Sequence, residues 1–309
     1  MIPYFVFDHF NIGPLRFYTW GFFVGLAFSA GYLWILWQGR KQEVPLEKII
    51  GLALAIFLGT ALGSRLLFLL QAPKEFLADV SLLWRINQGG LMLWGGILGA
   101  ILFSWLYIKY SHGRIRIAEA QGAEARFSHA NFWKIADLAT PAIALGIIIG
   151  RIGCFLVNDH AGAPTTLPWG ILWPDGISRH PVALYESLAA FGLFFVFWWL
   201  QRRAESRRRS RLEAAAPPNP SVIPATEPGS RILDSRFRGN DKLGQLFLIF
   251  LISYSIIRFF LDFFRESQGI LADPRWWGLT TSQWISIFLF IICIFYLYKK
   301  ATFLLVKSG

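Results

Sequence analysis

Long apolar stretches alternate with polar segments along most of the chain. Seven of these stretches approach the roughly 20 residues that a helix needs to cross the hydrocarbon layer of a bilayer. The predicted spans are Trp20–Trp37, Ile49–Leu70, Leu91–Ile108, Phe132–Phe155, Ala183–Leu200, Leu246–Phe264 and Trp284–Tyr298. The pattern therefore predicts an all-α polytopic membrane protein with about seven transmembrane helices.

Composition and charge predict the orientation of these spans. With 55% hydrophobic residues and a mean hydropathy of +0.46, the chain is too apolar for a soluble domain of its length. The net charge of +11 would suit nucleic acid, but the basic residues cluster in alternate loops, after the first, third, fifth and seventh spans. The positive-inside rule then places the N-terminus outside and the C-terminus in the cytoplasm. No nucleic-acid partner is expected.

The predicted spans divide the chain into three segments. Residues 1–200 contain transmembrane helices one to five and an extracytoplasmic loop at 157–182, where glycines and prolines oppose a regular helix. Residues 201–243 are predicted to be a disordered cytoplasmic insertion, although its Arg/Glu-rich beginning can form a helix through Ala216. Its second half looks like translated sequence from a bacterial repetitive DNA element, so we expect it to be dispensable. Residues 244–309 contain helices six and seven.

Three pairs of glycines in the spans have a small-xxx-small spacing. The pairs are Gly59 and Gly63, Gly95 and Gly99, and Gly146 and Gly150. This spacing lets the backbones of two membrane helices approach closely. Helix packing is therefore the expected role of most of these glycines.

Two arginines interrupt the apolar spans. Arg151 follows the apolar run Leu138–Ile149, and a charge in such a position costs about 2.5–3.5 kcal/mol on insertion scales. One face of the sixth span carries polar residues at helical spacing, namely Tyr254, Arg258, Asp262 and Arg265. Two buried arginines predict an anionic ligand inside the membrane, because each presents a planar fork to a phosphate. The alternative is that Arg258 pairs with Asp262 and Arg151 snorkels to the membrane surface.

A polar group also marks the start of the fifth span. His180 lies just before this span, and Tyr185 and Glu186 fall in its first turns. Glu186 can orient a substrate or hold an arginine in a structural ion pair. His180 can be a cap, an interface residue or a catalytic group. The five histidines lack the spacing of metal ligands, so we predict no metal and no other cofactor.

These polar residues occur in an order that resembles a known family. The first block is Gly150-Arg151-Ile152-Gly153 with Asn158, Asp159 and Gly162; the second is His180-Pro181 with Tyr185-Glu186; the third is Tyr254, Arg258, Asp262 and Arg265. Asp137, Gln283 and Ser286 also match. In this order and spacing the chain resembles the prolipoprotein diacylglyceryl transferases over nearly its whole length apart from Gln201–Lys242.

The resemblance implies a seven-span enzyme of the bacterial inner membrane. Such an enzyme moves the sn-1,2-diacylglyceryl group of phosphatidylglycerol to the lipobox cysteine of a prolipoprotein, releasing glycerol 1-phosphate, in the first step of lipoprotein maturation. Its partners are phosphatidylglycerol and the prolipoprotein signal peptide. Catalytic roles are carried over to Arg151 and Arg258 and considered for Asp159 and His160. The implied substrate-binding residues are Asn158, Gly162, His180, Tyr185, Glu186, Tyr254, Asp262 and Arg265.

Four positions depart from the family pattern. Trp94 stands where the family usually has histidine, Trp20 where tyrosine is common, Cys154 where asparagine is common, and Asp159 where glutamate is common. The missing histidine is a natural acceptor for the thiol proton. Either that histidine is not the base, or His160 beside Asp159 replaces it, or the protein is a catalytically silent paralogue that binds anionic lipid or lipoprotein signal peptides. A transporter is a further alternative, but the chain shows no evident internal repeat.

Overall fold

The computed structural model describes residues 1–41, 46–70, 93–110, 129–215, 244–268, 272–273 and 275–308. The α-helices in these ranges are α1 (Thr19–Lys41), α2 (Leu46–Leu70), α3 (Leu93–Tyr110), α4 (His129–Val157), α5 (Val182–Ala215), α6 (Gln245–Leu261) and α7 (Thr281–Ser308). A short 3₁₀ turn, Asp262–Phe264, follows α6. The described part of the chain is thus mostly helical, as the hydrophobic pattern predicts.

Six of the described helices are long and apolar enough to cross a membrane. Their spanning segments are Thr19–Lys41, Ile49–Leu70, Trp133–Val157, Val182–Arg207, Gln245–Phe264 and Thr281–Lys299. Helix α3 corresponds to the third predicted span, but its apolar stretch, Leu98–Tyr107, is shorter. Residues 91–92 of that span lie outside the described residues. The chain is an all-α polytopic membrane protein, and the number of seven spans and the orientation stay predictions.

The chain divides into two compact units, one formed by Met1–Ile35 with Ala136–Gly309 and the other by Leu36–Ile135. The larger unit has an aromatic core between its helices. The buried members of this core are Ala144, Leu193, Phe194, Phe197 and Phe250. Trp34 of α1 packs edge-on against Phe194, with ring centroids 5.1 Å apart, and such aromatic pairs add to simple burial. The core fixes α4, α5 and α6, so the polar residues at their ends are brought together.

In the smaller unit, α2 and α3 pack with their backbones in direct contact. The glycines at this contact are Gly59 and Gly63 of α2 and Gly95 and Gly99 of α3. A methyl group on any of them would collide with the backbone of the opposite helix. This is the close approach that small-xxx-small spacing predicts, and it allows van der Waals contact along the pair. In the larger unit, by contrast, a Cβ at Gly150 would meet no described atom within 4 Å.

Short strands lie near the helix ends of the larger unit. They are β1 (Ile2–Pro3), β2 (His9–Ile12), β3 (Leu15–Tyr18), β4 (Ile171–Leu172), β5 (Ser178–Arg179), β6 (Arg275–Trp276) and β7 (Leu279–Thr280). Strand β1 pairs in parallel with β4, and β4 pairs antiparallel with β5. The hairpin β2–β3 leads directly into α1, and the hairpin β6–β7 leads directly into α7. The fully described segment 158–181 is non-helical, as its glycines and prolines predict.

Helix α5 continues beyond its spanning segment to Ala215, so the beginning of the segment 201–243 is helical. Residues 216–243 lie outside the described residues. Where the described chain resumes, Asp137 of α4 caps the start of α6. Its carboxylate accepts hydrogen bonds from the backbone nitrogens of Gly244, at 2.6 Å, and Phe247, at 2.9 Å. Two N–H groups that have no partner within their own helix are thereby satisfied.

Candidate functional site

The ends of α4, α5 and α6 meet the beginning of α7 in one connected group of charged side chains. Three guanidinium groups, those of Arg151, Arg258 and Arg265, contact the carboxylates of Glu186 and Asp262. We call these five residues the arginine cluster. Their helices place them at the same end of the larger unit, where the polar end of each span faces its neighbours.

Glu186 is the centre of the arginine cluster. It lies in the first turns of α5, is only 3% exposed, and ion-pairs with all three arginines. Its Oε2 lies 2.5 Å from Nε of Arg151, and its Oε1 accepts a hydrogen bond from Nη1 of Arg258. Nη2 of Arg265 lies 3.6 Å from the same Oε1. A buried carboxylate is stable as an anion only with such partners.

Asp262 is the second carboxylate of the arginine cluster and is fully buried. Its Oδ1 lies 3.2 Å from Nη2 of Arg258 and 3.0 Å from Nε of Arg265. Its Oδ2 accepts hydrogen bonds from the hydroxyls of Thr280 and Ser282. The predicted helical face is therefore correct through Asp262, but Arg265 lies beyond the 3₁₀ turn in extended backbone with ψ of 151°. It is the turn, rather than helical periodicity, that brings Arg265 back to Asp262.

The charges of the arginine cluster do not cancel. Arginine is always protonated in proteins, so three positive charges face the two negative charges of Glu186 and Asp262. A third carboxylate, Asp273, accepts a hydrogen bond from Nη1 of Arg265 at 2.7 Å, but its side chain is 28% exposed and lies at the edge of the group. The five residues of the cluster thus have one cation more than carboxylates, and Asp273 offsets that charge from the partly exposed edge, so Arg151 and Arg258 can still attract an anionic ligand.

A small cavity adjoins the arginine cluster. Its polar end is formed by Glu186, Tyr254 and Arg258, and its walls include Leu193 and Ile257. The Tyr254 hydroxyl also contacts the guanidinium of Arg151. The cavity itself has room for about one water molecule, and its lining combines a charged end with apolar walls.

Cys154 and Trp20, two of the departures from the family pattern, contact each other. The Trp20 side chain is within hydrogen-bonding contact of the Cys154 thiol. Nη1 of Arg151 lies 4.0 Å from the same sulfur. Both substitutions therefore affect the surroundings of Arg151. Trp94, the third departure, lies in α3, and its side chain is outside the described part of the chain.

The segment after α4 is held against the residues that follow α6. Gly162 forms a β-bridge with Arg265, and the backbone nitrogen of Ala163 donates to the carbonyl of Phe264 at 2.7 Å. A Cβ at Gly162 would collide with the carbonyl of His180. Only glycine permits this approach, so Gly162 serves the site through its backbone. Asn158 ends α4 with φ of 53°, and no described group bonds its buried Nδ2.

His180 and Tyr185 form a separate polar group beside the arginine cluster. The Tyr185 hydroxyl lies 3.1 Å from Nδ1 of His180 and accepts a hydrogen bond from Nε1 of Trp169 at 2.8 Å. The His180 ring also packs against Phe264, with centroids 5.1 Å apart. Burial lowers the pKa of His180 below its ordinary value. A neutral ring can accept the Tyr185 proton, so this group ties the start of α5 to the preceding loop.

His160 lies at the edge of the site between two carboxylates. Its Nε2 lies 3.9 Å from Oδ2 of Asp159, and its Nδ1 lies 3.8 Å from Oδ1 of Asp273. The His160 side chain is 42% exposed. Asp273 in turn contacts Arg265, so His160 is connected to the arginine cluster through one residue.

The structure thus brings most of the predicted residues together. Arg258 pairs with Asp262, and Glu186 holds arginines in ion pairs, whereas the anionic ligand and the snorkelling of Arg151 stay predictions. No trio of described histidine, cysteine, aspartate or glutamate side chains is arranged to hold a metal ion. The roles of the individual residues stay predictions.

The sequence reasoning missed Thr280, Ser282 and Asp273, and it named Gln283 only as a match to the family pattern. Thr280 and Gln283 form a capping box at the start of α7, in which Oγ1 of Thr280 accepts from the Gln283 nitrogen and Oε1 of Gln283 accepts from the Thr280 nitrogen. The Thr-x-x-Gln pattern is a readable signal for this box. Ser282 within it contacts Arg258 and Asp262. Asp273, in contrast, has no local signal in the sequence.

Comparison with known proteins identifies relatives of the whole chain. A family model described as prolipoprotein diacylglyceryl transferase matches residues 8–216 and 231–299. The unmatched residues 217–230 fall inside the segment predicted as an insertion. The matched residues include the whole arginine cluster.

Three relatives bear the name phosphatidylglycerol–prolipoprotein diacylglyceryl transferase. The one from Coxiella burnetii (strain Dugway 5J108-111) is 25% identical over 289 residues, which cover 92% of this chain and 90% of the relative. The one from Bordetella avium (strain 197N) is 28% identical over 295 residues, with 91% and 89% covered. The one from Clostridium tetani (strain Massachusetts / E88) is 26% identical over 296 residues, with 93% and 94% covered.

Proposed function

Because the chain belongs to the prolipoprotein diacylglyceryl transferase family, we propose that it moves the sn-1,2-diacylglyceryl group of phosphatidylglycerol to the lipobox cysteine of prolipoproteins. The products are a thioether-linked lipid on the protein and glycerol 1-phosphate. The reaction takes place at the outer leaflet of the bacterial inner membrane, since the predicted orientation puts the arginine cluster there. The observation that carries this proposal is the convergence of three guanidinium groups beside a small cavity with apolar walls.

The charge of the substrate matches that of the site. The phosphodiester of phosphatidylglycerol bears one negative charge, which is the excess positive charge of the arginine cluster. Arg151 and Arg258 bind its oxygens, and the unbonded Nδ2 of Asn158 supplies a further donor. The diacylglyceryl group lies along the apolar wall formed in part by Leu193 and Ile257.

The arginines also favour the chemical step. As the bond between the glycerol carbon and the phosphate oxygen breaks, its electron pair passes to that oxygen, and the phosphate gains a second negative charge. Arg151 and Arg258 therefore interact more strongly with the transition state than with bound lipid, which is the condition for rate acceleration. The attacking sulfur reacts as a thiolate, and His160 with Asp159 accepts the thiol proton.

Transfer is tested with the purified full-length protein in phosphatidylglycerol vesicles and a lipobox peptide, by mass spectrometry of the peptide cysteine. The wild type is expected to add the mass of one diacylglyceryl group. Arg151→Ala and Arg258→Ala should each lower the rate by roughly 10²–10³-fold, the loss typical of a group that stabilises developing negative charge. Arg202→Ala is the matched control, because Arg202 lies on α5 outside the site and stacks on Trp198.

The outcomes distinguish the transferase from its main alternative. Normal transfer by both arginine variants contradicts the proposal. If the folded wild type binds phosphatidylglycerol but transfers nothing, the result favours a catalytically silent paralogue. The departures at Trp20, Trp94 and Cys154 are the reason for considering this alternative. Loss of lipid binding in Arg151→Ala would locate the headgroup at the arginine cluster in either case.

A further inference from the structure

Asp273 lies between the exposed histidine of the site and the arginine cluster. One of its oxygens, Oδ2, accepts a hydrogen bond from Nη1 of Arg265 at 2.7 Å. The other, Oδ1, faces Nδ1 of His160 at 3.8 Å. Asp273 lies eight residues after Arg265, shortly before the β6–β7 hairpin, and is far in sequence from His160. Its carboxylate is therefore held by one site residue while it faces another.

The backbone of His160 is placed there independently of these side chains. The carbonyl of Ala161 accepts a hydrogen bond from the backbone nitrogen of Glu266 at 3.1 Å, and Gly162 bridges to Arg265. These contacts fasten the residues that follow His160 to the strand-like segment containing Arg265. The main chain thus determines where His160 lies, and the side-chain carboxylates determine how its ring is turned.

We infer that Asp273 is a positioning residue for the reaction, which orients the imidazole of His160 as proton acceptor and couples it to the arginine cluster through Arg265. This inference rests on the proposed transferase function. Two carboxylates, Asp159 and Asp273, face the His160 ring among the described residues. Arg265 holds the carboxylate of Asp273 in place, so the direction of this carboxylate is defined.

Orientation by Asp273 decides which ring nitrogen accepts the proton. Asp273 faces Nδ1 at 3.8 Å and Asp159 faces Nε2 at 3.9 Å. In our proposal the carboxylate that Arg265 holds in place prevails, so the proton stays on Nδ1 and the lone pair is on Nε2. The substrate thiol gives its proton to Nε2, the sulfur bonds to the glycerol carbon, and the electron pair of the broken carbon–oxygen bond leaves with the phosphate. The resulting imidazolium lies between two carboxylates, and it later returns the proton to the released phosphate or to water.

Kinetics of the full-length protein in phosphatidylglycerol vesicles test this role. Asp273→Asn keeps the shape of the side chain and removes its charge. We expect kcat to fall on the order of tenfold, because general acid–base catalysis as a whole contributes about 10²–10⁴-fold and Asp273 supports only part of it. Asp273→Glu should restore most of the rate. Asp175→Asn, which removes a carboxylate paired with Arg179 at 2.8 Å, should leave the rate unchanged.

A double-variant cycle separates orientation of His160 from an effect on Arg265. If Asp273 acts through His160, adding Asp273→Asn to His160→Gln should cause little further loss. An equal loss in both backgrounds overturns the inference while leaving the transferase function intact.

A measurement without turnover keeps the two proposals distinguishable. In ¹⁵N-histidine spectra, with His160→Gln to assign the signal, neutral His160 should carry its proton on Nδ1 in the wild type and lose this preference in Asp273→Ala. An unchanged tautomer contradicts the role of Asp273 even if lipid transfer is normal. Absence of transfer by the wild type contradicts the proposed function, and the spectra still decide whether Asp273 orients the ring.

Discussion

The two ends of α6 are both fixed by carboxylates, but only one end carries excess charge. At the beginning of the helix, Asp137 accepts hydrogen bonds from two backbone nitrogens. At its end, Asp262 and Glu186 face Arg258, Arg265 and Arg151. A helix cap satisfies donors that would otherwise lack a partner, whereas the arginine cluster contains more cations than its own carboxylates neutralise.

Within one helix, the charge at the beginning of α6 therefore stabilises the fold, and the charges at its end also serve the proposed function. A buried ion is tolerated in a membrane protein when its partners are complete, as they are where Asp137 receives the first N–H groups of α6. At the other end the arginines outnumber the carboxylates of the cluster, and the third carboxylate, Asp273, is partly exposed. We therefore expect changes at the beginning of α6 to affect stability, and changes at its end to affect both stability and transfer. The predictions below test this division, from the largest expected effect to the smallest.

Replacing the central carboxylate should have the largest effect. In Glu186→Gln the three surrounding arginines keep their charges but lose their shared partner, and breaking a buried ion pair in this way costs about 3–5 kcal/mol. Denaturant unfolding in detergent micelles measures this free energy. Glu47→Gln, at the exposed start of α2, is the control and should change stability little. Near-normal stability of Glu186→Gln would show that the arginines do not depend on Glu186.

Removing the cap of α6 should destabilise the protein and spare the chemistry. Asp137→Ala loses hydrogen bonds to an ionised acceptor, which are worth about 1.5–3 kcal/mol each. Asp137→Asn should lose less, because its amide oxygen can still accept. Transfer per folded molecule, measured by peptide mass spectrometry, should stay near the wild-type value in both. A rate loss comparable to that of Arg258→Ala would show that the two ends of α6 are not independent.

The group around His180 should make stability sensitive to mild acid. Burial lowers the pKa of His180, so the unfolded chain takes up the proton more readily than the folded protein. This contribution to stability is present above the ordinary histidine pKa of about 6.5 and is lost as the pH falls through that value. Thermal unfolding at pH 7.5 and pH 5.5 should show a larger drop for the wild type than for His180→Asn, whose side chain does not titrate. Identical drops would contradict this assignment.

Deleting residues 217–230 should have the smallest effect. The family match omits these residues, and Asp137 of α4 caps the start of α6. Transfer and the free energy of unfolding are expected to stay near wild-type values. The control keeps the loop length and replaces residues 217–230 by a scrambled sequence. The deletion and the control should behave alike, because the free energy of loop closure depends only weakly on loop length. Loss of transfer in the deletion alone would indicate a role for this segment.

Parts of the fold and of the site were predictable because their signals are local. Apolar runs near the length of a bilayer mark the spans without knowledge of any contact, and six helices in the described residues have the expected length and composition. Arg151 and Arg258 were recognisable because a charge in an apolar run demands a partner. The facing glycines of α2 and α3 were predictable from their spacing, whereas a Cβ at Gly150 meets no described atom within 4 Å.

Other features depend on contacts between distant residues. Periodicity placed Arg258 one turn from Asp262 but did not reveal that Glu186, 72 residues earlier in the chain, binds Arg258. The return of Arg265 to Asp262 requires a 3₁₀ turn that no helical pattern predicts. Asp273 is one polar residue in a polar stretch, and only the pairing of neighbouring backbone segments brings His160 near it.

The sequence by itself determined that this chain is an all-α membrane protein with arginines buried in its spans, because hydropathy and the energetic cost of charge in hydrocarbon act on each residue separately. Only the tertiary structure decided which carboxylates meet those arginines and that one positive charge is left over. Electrostatic energy depends on distances between groups and on their burial. Those distances are set by helix packing and by the backbone bridges at the helix ends, and they are not encoded in any single stretch of the chain.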